Sequence, residues 1–368
     1  MKRILLTIAI GLLVLGLSTA VRAESDWPSF RASGLMTGVA HTPFTATPRL
    51  TWTYETGSQV DSTAAIVGDT AYVGTKTNAL LALDLSSGKL KWKYLAKGGI
   101  TAAPCVVGDV VYVGDEAGWF HAVNLYNGKV IWTYETGGKI ISSATPAPGV
   151  VLFGSYDNRL YCLHAGTGKV KWSVTAEAQV HCSPCVTGDT VVIAGCDGKV
   201  RMIDLATGTE KATSLVQTNF SAAPAYSSGN VYLGALNGIY LAVRMSDGAE
   251  LWRMTETGDG AACYASAAIL GDAVIFGSRS QVLYRTNRVT GVTEWMFEAK
   301  GGFDSSPVIA AGTVFVGCSD GNLYGIRLSD GVKVWQFTAG GEITASPAIG
   351  QGRMVIGTMD GAVYCFSR

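Results

Sequence analysis

The chain has 368 residues, 48% of them hydrophobic and only 15% charged, a balance that builds a packed core and excludes a disordered polypeptide. Lysine plus arginine equals aspartate plus glutamate at 28 each, so no basic surplus favours nucleic acid or an anionic membrane surface. Forty-six glycines against ten prolines imply many tight turns.

From the N-terminus, Lys2 and Arg3 precede an apolar run from Ile4 to Leu17, and Val21-Arg22-Ala23 offers a small-x-small cleavage site, with Ala20 as a rival. Residues 1–23 therefore have the form of a secretory signal. The run is shorter than the roughly 20 apolar residues that span a bilayer, and no later segment is long enough, so the mature chain is expected to be periplasmic or secreted, with no transmembrane segment. Residues 24–48 follow as an extended segment, and from 49 to 368 the sequence repeats.

The repeat is set by tryptophan. Trp52, Trp92, Trp132 and Trp172 are spaced by 40, and Trp252, Trp295 and Trp335 continue the series, with Ala212 at the one unfilled position. Four residues before each position from the second onward stands a glycine, from Gly88 and Gly128 to Gly331, preceded by Ser, Asn, Thr or Asp. Such pairs are hairpin turns, because glycine adopts positive φ without a steric penalty. Two further turn rows, including Gly108-Asp109 and Asp197-Gly198, divide each repeat into four short segments rich in β-branched and aromatic residues. Four antiparallel strands per unit, repeated radially, make a propeller blade. In one blade the spacing predicts strands A, B, C and D over 100–106, 110–114, 119–124 and 130–135. Residues 362–367 are a strand C without a following D, and 50–55 a strand D without a preceding C. Pairing them closes the ring, so the expected fold is all-β: an eight-bladed propeller of four-stranded antiparallel blades latched by the two chain ends. Closed edges predict a monomer.

Ala82-Leu83-Asp84 with Ser87-Gly88-Lys89 and Trp92, and Ala122-Val123-Asn124 with Asn127-Gly128-Lys129 and Trp132, resemble the docking motif of the PQQ-like (pyrroloquinoline quinone repeat) β-propeller family. The resemblance covers 49–368, and Asp26-Trp27-Pro28-Ser29-Phe30-Arg31 is similar to the segment that often precedes such propellers in exported bacterial proteins. It implies that each Trp packs on the neighbouring blade and that the Ala leaves room for it. His164, Arg244 and Arg327 depart from the motif's acidic position, and Ala212 from its Trp, which makes that blade interface the expected weak point. The family holds quinone dehydrogenases carrying PQQ and calcium, and cofactor-free propellers of outer-membrane-protein assembly. The quinone enzymes are longer and often carry a disulfide between adjacent cysteines, whereas this chain has no Cys-Cys pair and one three-residue insertion, within 253–263. No cofactor is therefore expected.

Eight cysteines in an exported chain raise the question of disulfides. Cys162 and Cys365 fall where other repeats have Ala82 and Ala122, and Cys105 and Cys185 share a position with Ala65 and Ala225, so all four are expected as small buried hydrophobes. Cys182 and Cys196, on adjacent strands near one end of a blade, admit a disulfide. Cys182 and Cys185 have metal-pair spacing, but positions three apart on a strand face opposite ways.

Strand A lines the axis, and its start faces one channel mouth with Asp61, Thr101, Ile141, His181, Ser221, Tyr264, Asp304 and Thr344. Asp61, His181, Tyr264 and Asp304 are the candidate binding residues; the plainer expectation is solvated loop ends. Asp61 and Asp304 are two carboxylates without a ligand-rich loop, so no metal site is expected. There is no Gly-x-Ser-x-Gly, phosphate-cradling loop or His-Glu-x-x-His, and the histidines at 41, 121, 164 and 181 are scattered, so no catalytic residue is assigned. The expected function is a non-catalytic module that binds an envelope protein, peptide or glycan. The alternative is a small quinoprotein oxidoreductase using PQQ and calcium.

Overall fold

The computed structural model describes residues 25–256 and 261–368; the signal expected over 1–23 lies outside the described residues. Eight four-stranded antiparallel sheets form the ring. Blade 1 comprises Ala65–Val67, Thr70–Gly74, Ala79–Asp84 and Leu90–Leu95, and blade 2 comprises Cys105–Val107, Val110–Gly114, Trp119–Asn124 and Val130–Glu135. Blades 3 to 7 repeat this pattern, and their A strands begin at Thr145, Cys185, Ala225, Ala268 and Val308. Blade 8 joins Ala348–Gly350, Arg353–Gly357 and Ala362–Ser367 to the N-terminal Arg49–Glu55, paired from Arg49 with Ser367 to Glu55 with Ala362. No helix among the described residues is long and apolar enough to cross a membrane.

Strands B and C are almost wholly buried, and strand D alternates toward solvent, as in the Val130–Glu135 strand. Strand A is shorter than the sequence suggested. Only Cys105–Val107 pairs with strand B, and 100–104 runs free along the axis. There Pro104 has no N–H to give, and the neighbouring amides bond to the next blade instead, as Ala103 N–H does to the Ser143 hydroxyl at 2.9 Å.

Six of the seven repeat tryptophans sit on the C–D turn of the following blade. The Trp92 indole N–H donates to Leu125 O at 2.9 Å, and Trp52, Trp132, Trp172, Trp252 and Trp295 make the same bond. The turn glycine serves twice. Gly128 has φ +69, and a Cβ there would stand 2.7 Å from the Trp92 ring. Trp335 would need a C–D turn in blade 8, but that blade takes its strand D from the N-terminal Arg49–Glu55, and Trp335 packs edge-on to Phe366 at 5.5 Å. In blade 4, Ala212 faces Met202 across the strand pair, where blades 1 and 2 pair Ala82 with Trp92 and Ala122 with Trp132. Large and small have changed places, and Met202 is 1% exposed, so the expected weak interface is refilled by a thioether.

Residues 25–44 make a lap around the ring on the face opposite the strand-A starts. In a two-strand pairing the middle residue of strand A turns its N–H outward, to an open edge. The lap covers those edges. The amides of Val106, Val186, Tyr226, Ile269 and Ile309 donate to the carbonyls of Pro28, Gly34, Leu35, Thr37 and Gly38, and Trp27 exchanges two bonds with Ile66. Blade 3 is passed over because its residue is Pro146, which has no amide hydrogen. Arg31, fully buried, ties the lap to Ala267 O at 2.7 Å and to Pro307 O, and desolvation lowers its pKa to about 9. Gly38 leaves room for that guanidinium.

The Met202–Ala212 exchange makes a defined prediction for urea unfolding. Met202→Ala leaves a cavity and costs about 2–5 kcal/mol. Ala212→Trp overpacks and costs about 1–3 kcal/mol. The double variant restores the arrangement of blade 1 and recovers most of both losses; simple additivity would contradict the exchange.

Candidate binding site at the channel mouth

All eight strand-A start residues line one axial cavity of about 460 Å³, so Asp61, His181, Tyr264 and Asp304 share a site. Sequence reasoning missed the rest of its rim. Lys76, Glu116, Arg279 and Met359 open the B–C turns, and Lys139 comes from a D–A connection. Their signal was their equivalent positions in successive repeats, just before the turn residues. Phe30, from the N-terminal lap, also lines the cavity.

The rim charges fall into three groups. Arg279 grips Asp304 with two bonds of 2.7 Å and stacks 3.8 Å above the Tyr264 ring; Asp304 raises the Arg279 pKa. Lys76 pairs with Glu116 at 2.9 Å, and the Thr344 hydroxyl donates to Asp61 at 2.6 Å across the closing blade. On the third side the Tyr156 hydroxyl lies 2.7 Å from His181 Nδ1, and the Lys139 ammonium is 4.6 Å from the Tyr156 ring centre. Burial, and secondarily Lys139, lowers the His181 pKa to about 4. The imidazole is therefore neutral at pH 7 and shares a hydrogen bond with the Tyr156 hydroxyl.

The aspartates of the B–C turns hold the connections that carry these rim residues. Asp115 accepts from the amides of Lys97 and Gly98, and Asp157, Asp197 and Asp320 accept from Gly137, Glu177 and Lys300. In blade 2 this aspartate also binds buried His121 at 2.9 Å, whose other ring nitrogen is 2.9 Å from the Tyr94 hydroxyl. Burial pushes the Asp115 carboxyl up, but His121 and the amides outweigh it and hold it below its usual range. This cluster is a strut between blades 1 and 2 and does not line the axial cavity.

The cysteines at 105, 162, 185 and 365 are fully buried. Cys182 and Cys196 are free thiols, which corrects the disulfide reading. Cys182 Sγ bonds Ala194 O at 2.9 Å and N at 3.2 Å, as Ser142 bonds Gly154 N, and Cys196 Sγ turns to Phe220 O. Among the described residues no three His, Cys, Asp or Glu side chains group to hold a metal. Calcium does not fit this rim: Asp304 is engaged by Arg279, Glu116 by Lys76, and Asp61 by Thr344.

Fold and mouth together define a closed β-propeller of the quinone-repeat type. The chain belongs to the family described as outer membrane protein assembly factor BamB, whose profile matches residues 44–148, 137–262 and 242–368. It is similar in structure to BamB from Moraxella catarrhalis, with TM-score 0.76, 19% identity, and coverage of 88% of this chain and 98% of that one. It is also similar to quinohemoprotein alcohol dehydrogenase from Comamonas testosteroni, with TM-score 0.81, 14% identity, and coverage of 95% and 83%. The computationally designed Ika8 protein gives TM-score 0.76 at 17% identity, over 85% and 98%. At these identities the likeness is one of fold. No curated protein matches the chain in sequence.

The half-buried, neutral His181 makes the fold sensitive to acid. The unfolded chain binds this proton near pH 6.5, the folded chain only near 4, so the unfolded state holds more protons between those values. Stability therefore falls as the pH drops from about 6.5 to about 4 and is fully retained above that window. His181→Gln, measured by urea unfolding across pH 4–7, flattens that slope; an unchanged slope would remove His181 as its source.

Proposed function

We propose that this chain is a non-catalytic docking module of the cell envelope that binds a partner protein over the channel mouth. The observation that carries this is the rim, where Tyr264 and Arg279 stack beside Asp304, and Lys139, Tyr156 and His181 stand in the opposite part of the ring. Arginine, tyrosine and charged pairs are the residues that dominate protein interfaces and steer their encounter. The signal-like residues 1–23 and the assembly-factor description of the family support an envelope location. Peptides and glycans are narrower occupants of the same face.

The test is crosslinking capture from native envelopes with the wild-type chain and Arg279→Ala, read by mass spectrometry. One partner is expected, with its yield reduced roughly tenfold in the variant, the effect of losing an interface residue worth about 1.4 kcal/mol. In parallel, PQQ and calcium are added to the purified protein with alcohols or sugars and a reducible dye. Saturable quinone binding with turnover would replace this reading with the quinoprotein oxidoreductase alternative.

A further inference from the structure

Below the mouth, the cavity is ringed by the third residue of each strand-A approach: Thr63, Ala103, Ser143, Ser183, Ala223, Ser266, Ser306 and Ser346. All eight are buried. Their bonding runs one way around the ring. The amides of Ala103, Ser143, Ala223, Ser266, Ser306 and Ser346 each donate to the hydroxyl of the next blade, at 2.9 to 3.1 Å. Every hydroxyl in the belt therefore serves as an acceptor, and its own proton finds no protein acceptor among the described residues.

The two gaps complete the pattern. Where the next blade offers Ala103 or Ala223, the amides of Thr63 and Ser183 have no hydroxyl to meet, and they too find no acceptor among the described residues. The belt thus offers six O–H donors to one axial space. Ser266 and Ser306 are 2% and 3% exposed, so these are buried donors, and leaving such groups unpaired costs about 1–3 kcal/mol each. One level higher, Thr101 Oγ1 is buried without any partner and lines the same cavity. At the rim, Asp304 and Glu116 are paired with Arg279 and Lys76, Asp61 is bonded by the neutral Thr344 hydroxyl, and Lys139 has no carboxylate partner among the described residues.

A ring of donor hydroxyls matches a ligand that only accepts, and Lys139 above it, on the side of the rim away from Asp61, is placed to meet a negative charge. We propose that the belt is a binding site for one small oxyanion, such as a carboxylate, sulfate or phosphate, held on the propeller axis. The site does not depend on the docking reading above, because its donors lie inside the cavity and not on the rim.

Crystals of the protein soaked in selenate, with anomalous diffraction recorded, locate the ion directly, and calorimetric titration with sulfate against chloride at matched ionic strength gives its affinity. A peak on the axis within hydrogen-bond distance of the Ser266 and Ser306 hydroxyls is expected. Ser306→Asp supplies a tethered carboxylate to the belt and weakens sulfate binding at least tenfold. Thr63→Val, nearly isosteric, removes one donor hydroxyl, leaves the Ser346 amide without its acceptor, and weakens it about threefold. Only water on the axis, selenate confined to surface lysines as an adventitious ion only, or unchanged affinity in both variants would overturn the site.

Discussion

One contact sets the architecture: the indole of a blade's outer strand lying on the glycine turn of the next blade, with its N–H on a carbonyl three residues before that glycine. It joins sheets that share no strand and fixes their spacing. Trp52 makes it from the N-terminal strand of blade 8 to Gly88 and Leu85 of blade 1, so the same contact that repeats around the ring also closes it. The exceptions follow from it. Met202 grows where Ala212 shrinks, and Trp335 turns to Phe366 because blade 8 takes its strand D from the N-terminal Arg49–Glu55.

A ring held at its rim leaves a problem at its axis. Eight inner strands converge there with little room for side chains, and all but that of blade 3 turn an amide to an open edge. Small residues solve the crowding, and their hydroxyls collect the amides of the neighbouring blade. The N-terminal lap solves the edges from the other face, taking the outward amides in turn and placing Phe30 at the cavity. What remains is a cavity whose rim carries the charge.

The blade count, the ring closure and strands B to D were legible because tryptophan and glycine recur at fixed spacing, and period-two patterning does the rest. The start of strand A was not, because the residues at 100–104 look like strand but bond to the blades on either side. The four mouth residues were found from their shared position; Lys76, Lys139 and Arg279 were not, because a charged residue beside a turn carries no local sign that it faces an axis. The thiol state of Cys182 depended on which way its sulfur turned, and only the Ser142 equivalence foreshadowed it. The lap at 25–44 escaped altogether. Its bonds are to backbone amides, which every sequence has, and only Pro146, where a bond is missing, marks its path.

The most direct test compares two tryptophans that look equivalent in sequence. Trp52 has a seat on the next blade and Trp335 has none. In urea unfolding, Trp52→Ala should cost about 3–5 kcal/mol. Trp335→Ala should cost clearly less, since it removes packing without removing a docked indole. Equal losses, or a greater loss at 335, would mean that the ring is not held by indole-on-glycine docking.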